Sequence, residues 1–489
     1  MGSYSLAGGV KAASGFEILA ARLWNVLNEG KSFHPVFVLG VFLLLHVGEI
    51  FGAGFWGRAL PALLLVVPLV LVFVRYDFPL KLRWALWVAL AAFVLLFRFV
   101  DVGALTLALG LYVFFTVFFW GTFYYHLRTG APKTNFLRFW KLVLENPDST
   151  SGNFLEQVPK ALLALFALEY LVSVPLTAGR AGAILVFTAT VGVASWWVHR
   201  RFFDWKPVYP SGPTGVVNRG APLARRVIVV VIDGCRLDSF NEAQKPYLEK
   251  MMAGGTVYES VETVYPARTV VCFSSMLTGA APERHGITSN LVLKLGLKVE
   301  SVFDVLRGSG KKGRLVGIAH LIDAFGGDVA SVTSVAHNDK IDANLIAAGR
   351  RELEEHDPEL LVLQLLAVDQ NGHVRGTRYP EYVERIEITD NLIEGFMSWC
   401  RENGYLEDTA VVLMADHGQG IGIGAHGHLS EGERFVPFAM WGNGIAPGRT
   451  IAEPASVMDL APTICYLLGV APPKGSTGRV LEDALEEGR

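Results

Sequence analysis

The chain has 489 residues, 51% of them hydrophobic and only 18% charged, with a formal net charge of −3. A mean hydropathy of +0.36 points to a large membrane component rather than a purely soluble enzyme. No large basic block lies outside the flanks of the apolar runs, which speaks against nucleic acid as a partner.

In chain order, residues 1–35 read as an N-terminal segment in which 16–27 (FEILAARLWNVL) is amphipathic and suited to a membrane interface, as is 136–144. No apolar core followed by a small-residue cleavage site is seen in 1–32, so no cleavable signal peptide is expected. Residues 36–200 read as a transmembrane helical domain. Apolar runs near 36–55, 59–75, 84–100, 103–125, 160–177 and 181–198 suit helices crossing a core of roughly 30 Å. Six is the expected count, with five as the alternative, since the second and third runs are short and the fifth contains Glu169. With six spans, Lys and Arg crowd one side, among them Arg75, Lys81, Arg83, Arg128, Lys133, Arg200 and Arg201, and only Arg58, Arg98 and Arg180 fall on the other. That bias puts both termini and the C-terminal half in the cytoplasm. Within the spans, His46 with Glu49 and Arg98 with Asp101 are expected as local pairs, and Glu169 as a polar contact inside the bundle or with a lipid headgroup.

Residues 201–223 read as a linker, since 206–224 (KPVYPSGPTGVVNRGAPLA) is rich in Pro and Gly. Residues 224–489 are long enough for one α/β domain with its own core. Cys235, Cys272, Cys400 and Cys465 are scattered without paired spacing and give no disulfide framework.

The chemistry concentrates in five short pieces: VVVIDGC, VYPARTVVCF, LLAVDQNGHVRG, VVLMADHGQ and IGAHGHLS. Three of them follow an apolar, β-branched run, as at the carboxyl end of a buried parallel strand, where ligands of open α/β sheets bind. They supply Asp233, Asp369, Asp416, His373, His417, His426 and the hydroxyl of Thr269, enough to hold two divalent cations beside a nucleophile. Mixed imidazole and carboxylate donors favour Zn²⁺ over Mg²⁺, with Mn²⁺ or iron as alternatives. A threonine hydroxyl needs such help, because it is a poor nucleophile at neutral pH. ARTVVCFSSMLTG is expected to open a helix at Thr269, and a second helix is expected near 380–400.

In order and spacing these pieces, with Thr278-Gly279 and APERHGI, resemble the alkaline phosphatase superfamily over roughly 224–470. The likeness is strongest to its type I phosphodiesterase/nucleotide pyrophosphatase branch and extends to phosphoethanolamine transferases of lipid-anchor assembly. The resemblance implies that Asp233, Thr269, Asp416 and His417 hold one zinc and Asp369, His373 and His426 the other, with Thr269 as nucleophile. It favours His426 over His428, which is left to contact substrate or a ligand. Where the resemblance implies an Asn three residues after the nucleophile, this chain has Cys272, so Arg268 or backbone N–H groups are expected to steady the phosphate, or Cys272 is a small apolar filler. Gln419 stands where Met is common, a change expected to matter little. The stretch 289–342 is the candidate for a small cap over the site, with His320, His337 and Asp339 as substrate contacts or plain surface residues.

The expected architecture is thus an N-terminal α-helical transmembrane bundle followed by a C-terminal alkaline-phosphatase-like α/β domain with a mostly parallel sheet. The expected function is a membrane-anchored two-metal phosphodiesterase or pyrophosphatase on a lipid-linked, nucleotide or other membrane-proximal phosphodiester, with membrane lipids as neighbours. The alternatives are a phosphotransferase moving a phospho-headgroup to a lipid or glycan acceptor, and a phosphomonoesterase. A non-catalytic sensor or transport protein is the reading from another class, and the complete set of ligands and nucleophile speaks against it.

Overall fold

The computed structural model describes residues 30–115, 118, 153–203 and 207–486, except 77, 79–81, 216–220, 291–295, 333–337, 421–425 and 428–429. The amphipathic segments 16–27 and 136–144, together with His337 and His428, lie outside the described residues. Two compact units emerge, one within 14–205 and one covering 206–489.

The first unit is helical: α1 (Gly30–Leu45), α2 (Ala53–Arg75), α3 (Trp84–Phe97), α4 (Val102–Val113), α5 (Asn153–Ser173) and α6 (Ala178–Phe203). Helix α5 is the hub, packing against α1, α2, α3 and α4, and every residue from 158 to 169 is buried. Its neighbours turn apolar side chains outward as well as inward; Leu64, Leu95, Leu96 and Val186 are each at least two-thirds exposed. A helix apolar on both faces suits a lipid surrounding rather than water. Two helices, Gly54–Arg75 and Ala178–Phe202, are long and apolar enough to cross a membrane, while α1, α3 and α4 are apolar but shorter as described.

The charged groups of this unit include the expected local His46–Glu49 pair and reach beyond it. Glu169 of α5 meets His46 Nε2 at 3.1 Å, across the bundle, whereas His46 Nδ1 lies 3.6 Å from Glu49. Glu49 is also 3.2 Å from Arg58. Asp101 caps α4 by accepting the Ala104 N–H at 2.8 Å, and Arg98 ends α3 at φ 48°, so the expected Arg98–Asp101 pair gives way to capping. At the other end of α5, Glu156 joins Lys160 at 2.7 Å and Arg83 at 2.8 Å. Pairing is what makes such buried charges tolerable.

The second unit is built on β1 (Arg226–Ile232), β2 (Thr256–Tyr258), β3 (Gly313–Ile318), β4 (Val329–Val332), β5 (Leu360–Leu365), β6 (Thr409–Met414), β7 (Phe438–Gly442) and β8 (Arg449–Ile451). They form one sheet in the order β8-β2-β7-β6-β1-β5-β3-β4. Strands β1, β5 and β6 are buried throughout, and β1 pairs in parallel with both of the others. That explains their unbroken apolar runs: helices cover both faces, so no alternation is needed. Only β7 runs antiparallel to its neighbours β6 and β2. The helices that matter for the site are α7 (Thr269–Thr278), α8 (Asn338–His356), α9 (Ala367–Arg375) and α10 (Pro380–Glu402). Among the described residues of the stretch expected as a cap, 289–342, β3 and β4 extend the main sheet instead.

Candidate active site

Three adjacent parallel strands deliver their carboxylates to one edge. Asp233 follows β1, Asp416 follows β6, and Asp369 sits in the first turn of α9 just after β5. Thr269 opens α7, with Arg268 as its N-cap in extended conformation. The hydroxyl therefore lies at the positive end of a helix dipole, which favours a bound anion. Close approach of the β1 and β5 loops needs Gly234: at φ +66°, a Cβ there would stand 2.6 Å from Asp369 Oδ1.

The ligand-type side chains form two clusters, Asp233–Asp416–His417 and Asp369–His373–His426, each with donor atoms within 4.8 Å of one another. In the first, His417 Nε2 lies 3.5 Å from Asp233 Oδ1, 3.5 Å from Asp416 Oδ2 and 3.4 Å from Thr269 Oγ1. His417 Nδ1 faces the Gly418 carbonyl at 2.9 Å, so this nitrogen carries the proton and Nε2 presents its lone pair. Asp233 Oδ1 and Asp416 Oδ2 are buried and accept no hydrogen bond among the described residues. Unsatisfied carboxylate oxygens facing a bare imidazole nitrogen suit a cation or, in its absence, a proton.

Electrostatics agree. Burial, reinforced by the neighbouring Asp416 and Asp369 charges, pushes Asp233 well above the usual carboxylate range, and burial pushes Asp416 up to about 8. Burial also lowers His417, which keeps its ring neutral and able to ligate.

The second cluster compensates itself. His373 Nε2 is 3.1 Å from Asp369 Oδ2, His426 Nε2 is 3.7 Å from Asp369 Oδ1, and the two imidazole nitrogens are 3.2 Å apart. His426 Nδ1 faces the Ala267 carbonyl at 2.8 Å, again leaving Nε2 as the donor atom. Burial pushes Asp369 up, but His373, His426 and His417 outweigh it and hold the carboxyl below its ordinary value. The clusters touch through the His417 and His426 rings, stacked with centroids 4.2 Å apart. Both donor sets fit divalent cations, with zinc the natural match to mixed nitrogen and oxygen donors.

The remaining sequence candidates divide. Arg268 lies beside the His426 loop: a Cβ on Gly427 would stand 3.1 Å from its Nε. Cys272 is fully buried inside α7, and the Thr263 hydroxyl lies 3.3 Å from its sulfur. That burial fits the apolar-filler reading of Cys272, the alternative to a substrate contact. An asparagine does stand at the nucleophile, but further along the chain. Asn290 Oδ1 accepts the Val270 N–H at 2.9 Å, at the first turn of α7, which leaves its NH₂ as a donor. Gln364 and Gln419 also reach the site, each through an aspartate.

Known proteins match the same half of the chain. The family model for type I phosphodiesterase / nucleotide pyrophosphatase matches residues 227–312, and the sulfatase model matches 367–470. The C-terminal half belongs to the alkaline phosphatase superfamily. Among curated relatives, the catalytic subunit of GPI ethanolamine phosphate transferase 3 from Mus musculus is 25% identical over 292 residues, 54% of this chain and 26% of its own length. The catalytic subunit of GPI ethanolamine phosphate transferase 2 from Homo sapiens is 26% identical over 282 residues, 54% of this chain and 28% of its own. The chain thus spans about a quarter of the length of these relatives. Among solved structures, murine ectonucleotide pyrophosphatase/phosphodiesterase 5 aligns at a TM-score of 0.44 and 14% identity, over 51% of this chain and 96% of that one. The two family-model matches cover the strand ends and α7 that hold the two clusters.

Proposed function

We propose that this protein is a membrane-bound phosphotransferase of the superfamily. In this reading Thr269 takes a phospho-headgroup from a lipid phosphodiester and passes it to a hydroxyl of a lipid or glycan acceptor. The observation that carries it is the Thr269 hydroxyl, 3.4 Å from His417 Nε2 at the start of α7, beside two sets of metal-ligand donors. Asp233, Asp416 and His417 would hold one cation with Thr269, and Asp369, His373 and His426 the other; zinc is favoured, with Mn²⁺ the alternative. When bound, two such ions supply positive charge that activates the threonine oxygen and neutralises the phosphate.

The residues do the rest. Thr269 Oγ loses its proton and attacks phosphorus, the bond to the leaving alcohol oxygen breaks, and that oxygen takes up a proton. The headgroup phosphate is then esterified to Thr269. Asn290 Nδ2 and Arg268 steady non-bridging oxygens, and the N-terminus of α7 faces the developing charge. An acceptor hydroxyl attacks the same phosphorus, loses its proton and frees the Thr269 oxygen. If water resolves the intermediate instead, the enzyme is a phosphodiesterase, and the match to the phosphodiesterase family model supports keeping that second reading.

Transfer is favoured for two reasons: relatives are named ethanolamine phosphate transferases, and the helical unit has an apolar exterior suited to lipid. In this proposal residues 36–200 make six spans around α5, 201–223 link them to the catalytic domain 224–489, and the positive-charge bias puts that domain in the cytoplasm. Labelling of single engineered cysteines from either side of sealed vesicles checks the orientation. Activity is tested on nanodisc-embedded protein with headgroup-labelled phosphatidylethanolamine, with and without a hydroxyl acceptor. Label moving to the acceptor, with little free phosphoethanolamine, supports transfer; release into water at the same rate with and without acceptor supports hydrolysis. No turnover of lipid or of a soluble aryl phosphodiester by metal-loaded protein counts against both.

A further inference from the structure

Two buried glutamines touch the clusters without belonging to either donor set. Gln364 lies in β5, in the sequence LLVLQL, and is fully buried. A polar side chain in such a strand must satisfy both ends of its amide or lose stability. Here Nε2 donates to Asp233 Oδ2, and Oε1 accepts the Ile318 N–H of β3 at 2.8 Å. A flipped amide would set oxygen against carboxylate and NH₂ against N–H, so both partners fix the same orientation. Gln419, also fully buried, donates from Nε2 to Asp369 Oδ1 at 2.7 Å and to the Asp369 carbonyl at 3.0 Å. A glycine makes room for each: a Cβ on Gly317 would lie 2.5 Å from Gln364 Oε1, and one on Gly372 would lie 2.4 Å from Gln419 Cδ.

We propose that Gln364 and Gln419 are paired positioning residues, one for each cation site. Each pins one oxygen of its aspartate with a neutral donor. For Asp233 this leaves Oδ1, the atom that has no hydrogen-bond partner among the described residues, facing the first cluster. An amide orients the carboxylate while leaving its full negative charge for the cation; an ammonium or guanidinium would cancel that attraction, and a thioether supplies no donor. The proposal rests on the two-cation reading above.

The test is site-resolved metal binding by the full chain in detergent. Metal is stripped with a chelator, and Zn²⁺ is titrated against a competing chromophoric chelator for the parent, Gln364→Met and Gln419→Met. Each is repeated in an Asp416→Ala background, which cripples the first site, and an Asp369→Ala background, which cripples the second. Melting temperature in EDTA reports folding. Gln364→Met should weaken one zinc site about 10–100-fold and have no further effect in the Asp416→Ala background. Gln419→Met should weaken the other by a similar factor and have no further effect in the Asp369→Ala background. If a Met variant does not fold, Gln364→Asn or Gln419→Asn keeps a neutral amide, shortens its reach to the aspartate and carries the same test. Variants that melt like the parent in EDTA yet bind both ions as tightly overturn the proposal and leave the two-cation reading standing. A parent protein that takes up no divalent cation overturns both.

Discussion

Asp233, Asp416 and His417 follow β1 and β6 with no exposure to solvent, whereas the second cluster, on α9 and a loop, joins a buried Asp369 to the half-buried His373 and His426. The residue types are the same, but the electrostatics are opposite. In the first cluster burial and crowding of carboxylates push Asp233 and Asp416 up, while in the second, three imidazoles hold Asp369 down. Two buried acids can be tolerated only with a proton or a cation, and the Thr269 hydroxyl sits on that side of the site. The first cluster is therefore where a bound cation relieves most strain, and it is also the one joined to the nucleophile. The second holds a single carboxylate and is less crowded.

The sharpest way to break this contrast is Thr269→Ala. Losing the hydroxyl should reduce turnover of any phosphodiester by about 10⁴-fold or more, while zinc stoichiometry of the second cluster stays unchanged. Zinc analysis beside steady-state kinetics reads both, and loss of zinc from the second cluster would merge the two sites into one.

A smaller effect is expected in the pH dependence of the metal-free protein. Asp416, pushed up to about 8, keeps its proton in the folded state at pH values where an unfolded Asp, near 3.8, has lost it. The folded state then binds more protons, so metal-free stability should fall as pH rises from about 4 to about 8. Zinc displaces that proton and should flatten the slope. Melting curves across this range in EDTA and in Zn²⁺ give the comparison; a metal-free melting point that climbs with pH contradicts it.

The least effect belongs to Cys272→Ala. Taking Cys272 as a filler buried against Thr263, turnover should stay within about threefold and stability should drop by about 1 kcal/mol. A selective change in KM with unaltered melting would return Cys272 to the substrate site.

The three aspartates were legible in the sequence because each ends an unbroken apolar run, and a strand buried on both faces has no other way to read. The parallel pairing of β1, β5 and β6 follows from the same runs. Thr269 was legible as a helix start. What stayed hidden depends on contacts between segments distant in the chain. Gln364 reads as one polar residue in a strand, and only the register of β5 against β1 brings it to Asp233. Gln419 looked like an inconsequential replacement until Gly372 opened the space beside Asp369. Asn290 lies beyond any local motif and reaches α7 by a loop. In the helical unit, spacing paired His46 with Glu49, but the bundle gives His46 a nearer partner in Glu169 from α5. The stretch 289–342 looked like a cap because β3 (GRLVGI) and β4 (VASV) are less strongly apolar than the central strands.

The measurement that tests the central claim most directly is intact and peptide mass spectrometry of acid-quenched enzyme during turnover of a lipid phosphodiester. The account requires an added phospho-headgroup mass on the peptide bearing Thr269, absent without metal and absent in Thr269→Ala. Turnover with no adduct on that peptide at any quench time, or an adduct that persists on another residue in the Thr269→Ala variant, would contradict it.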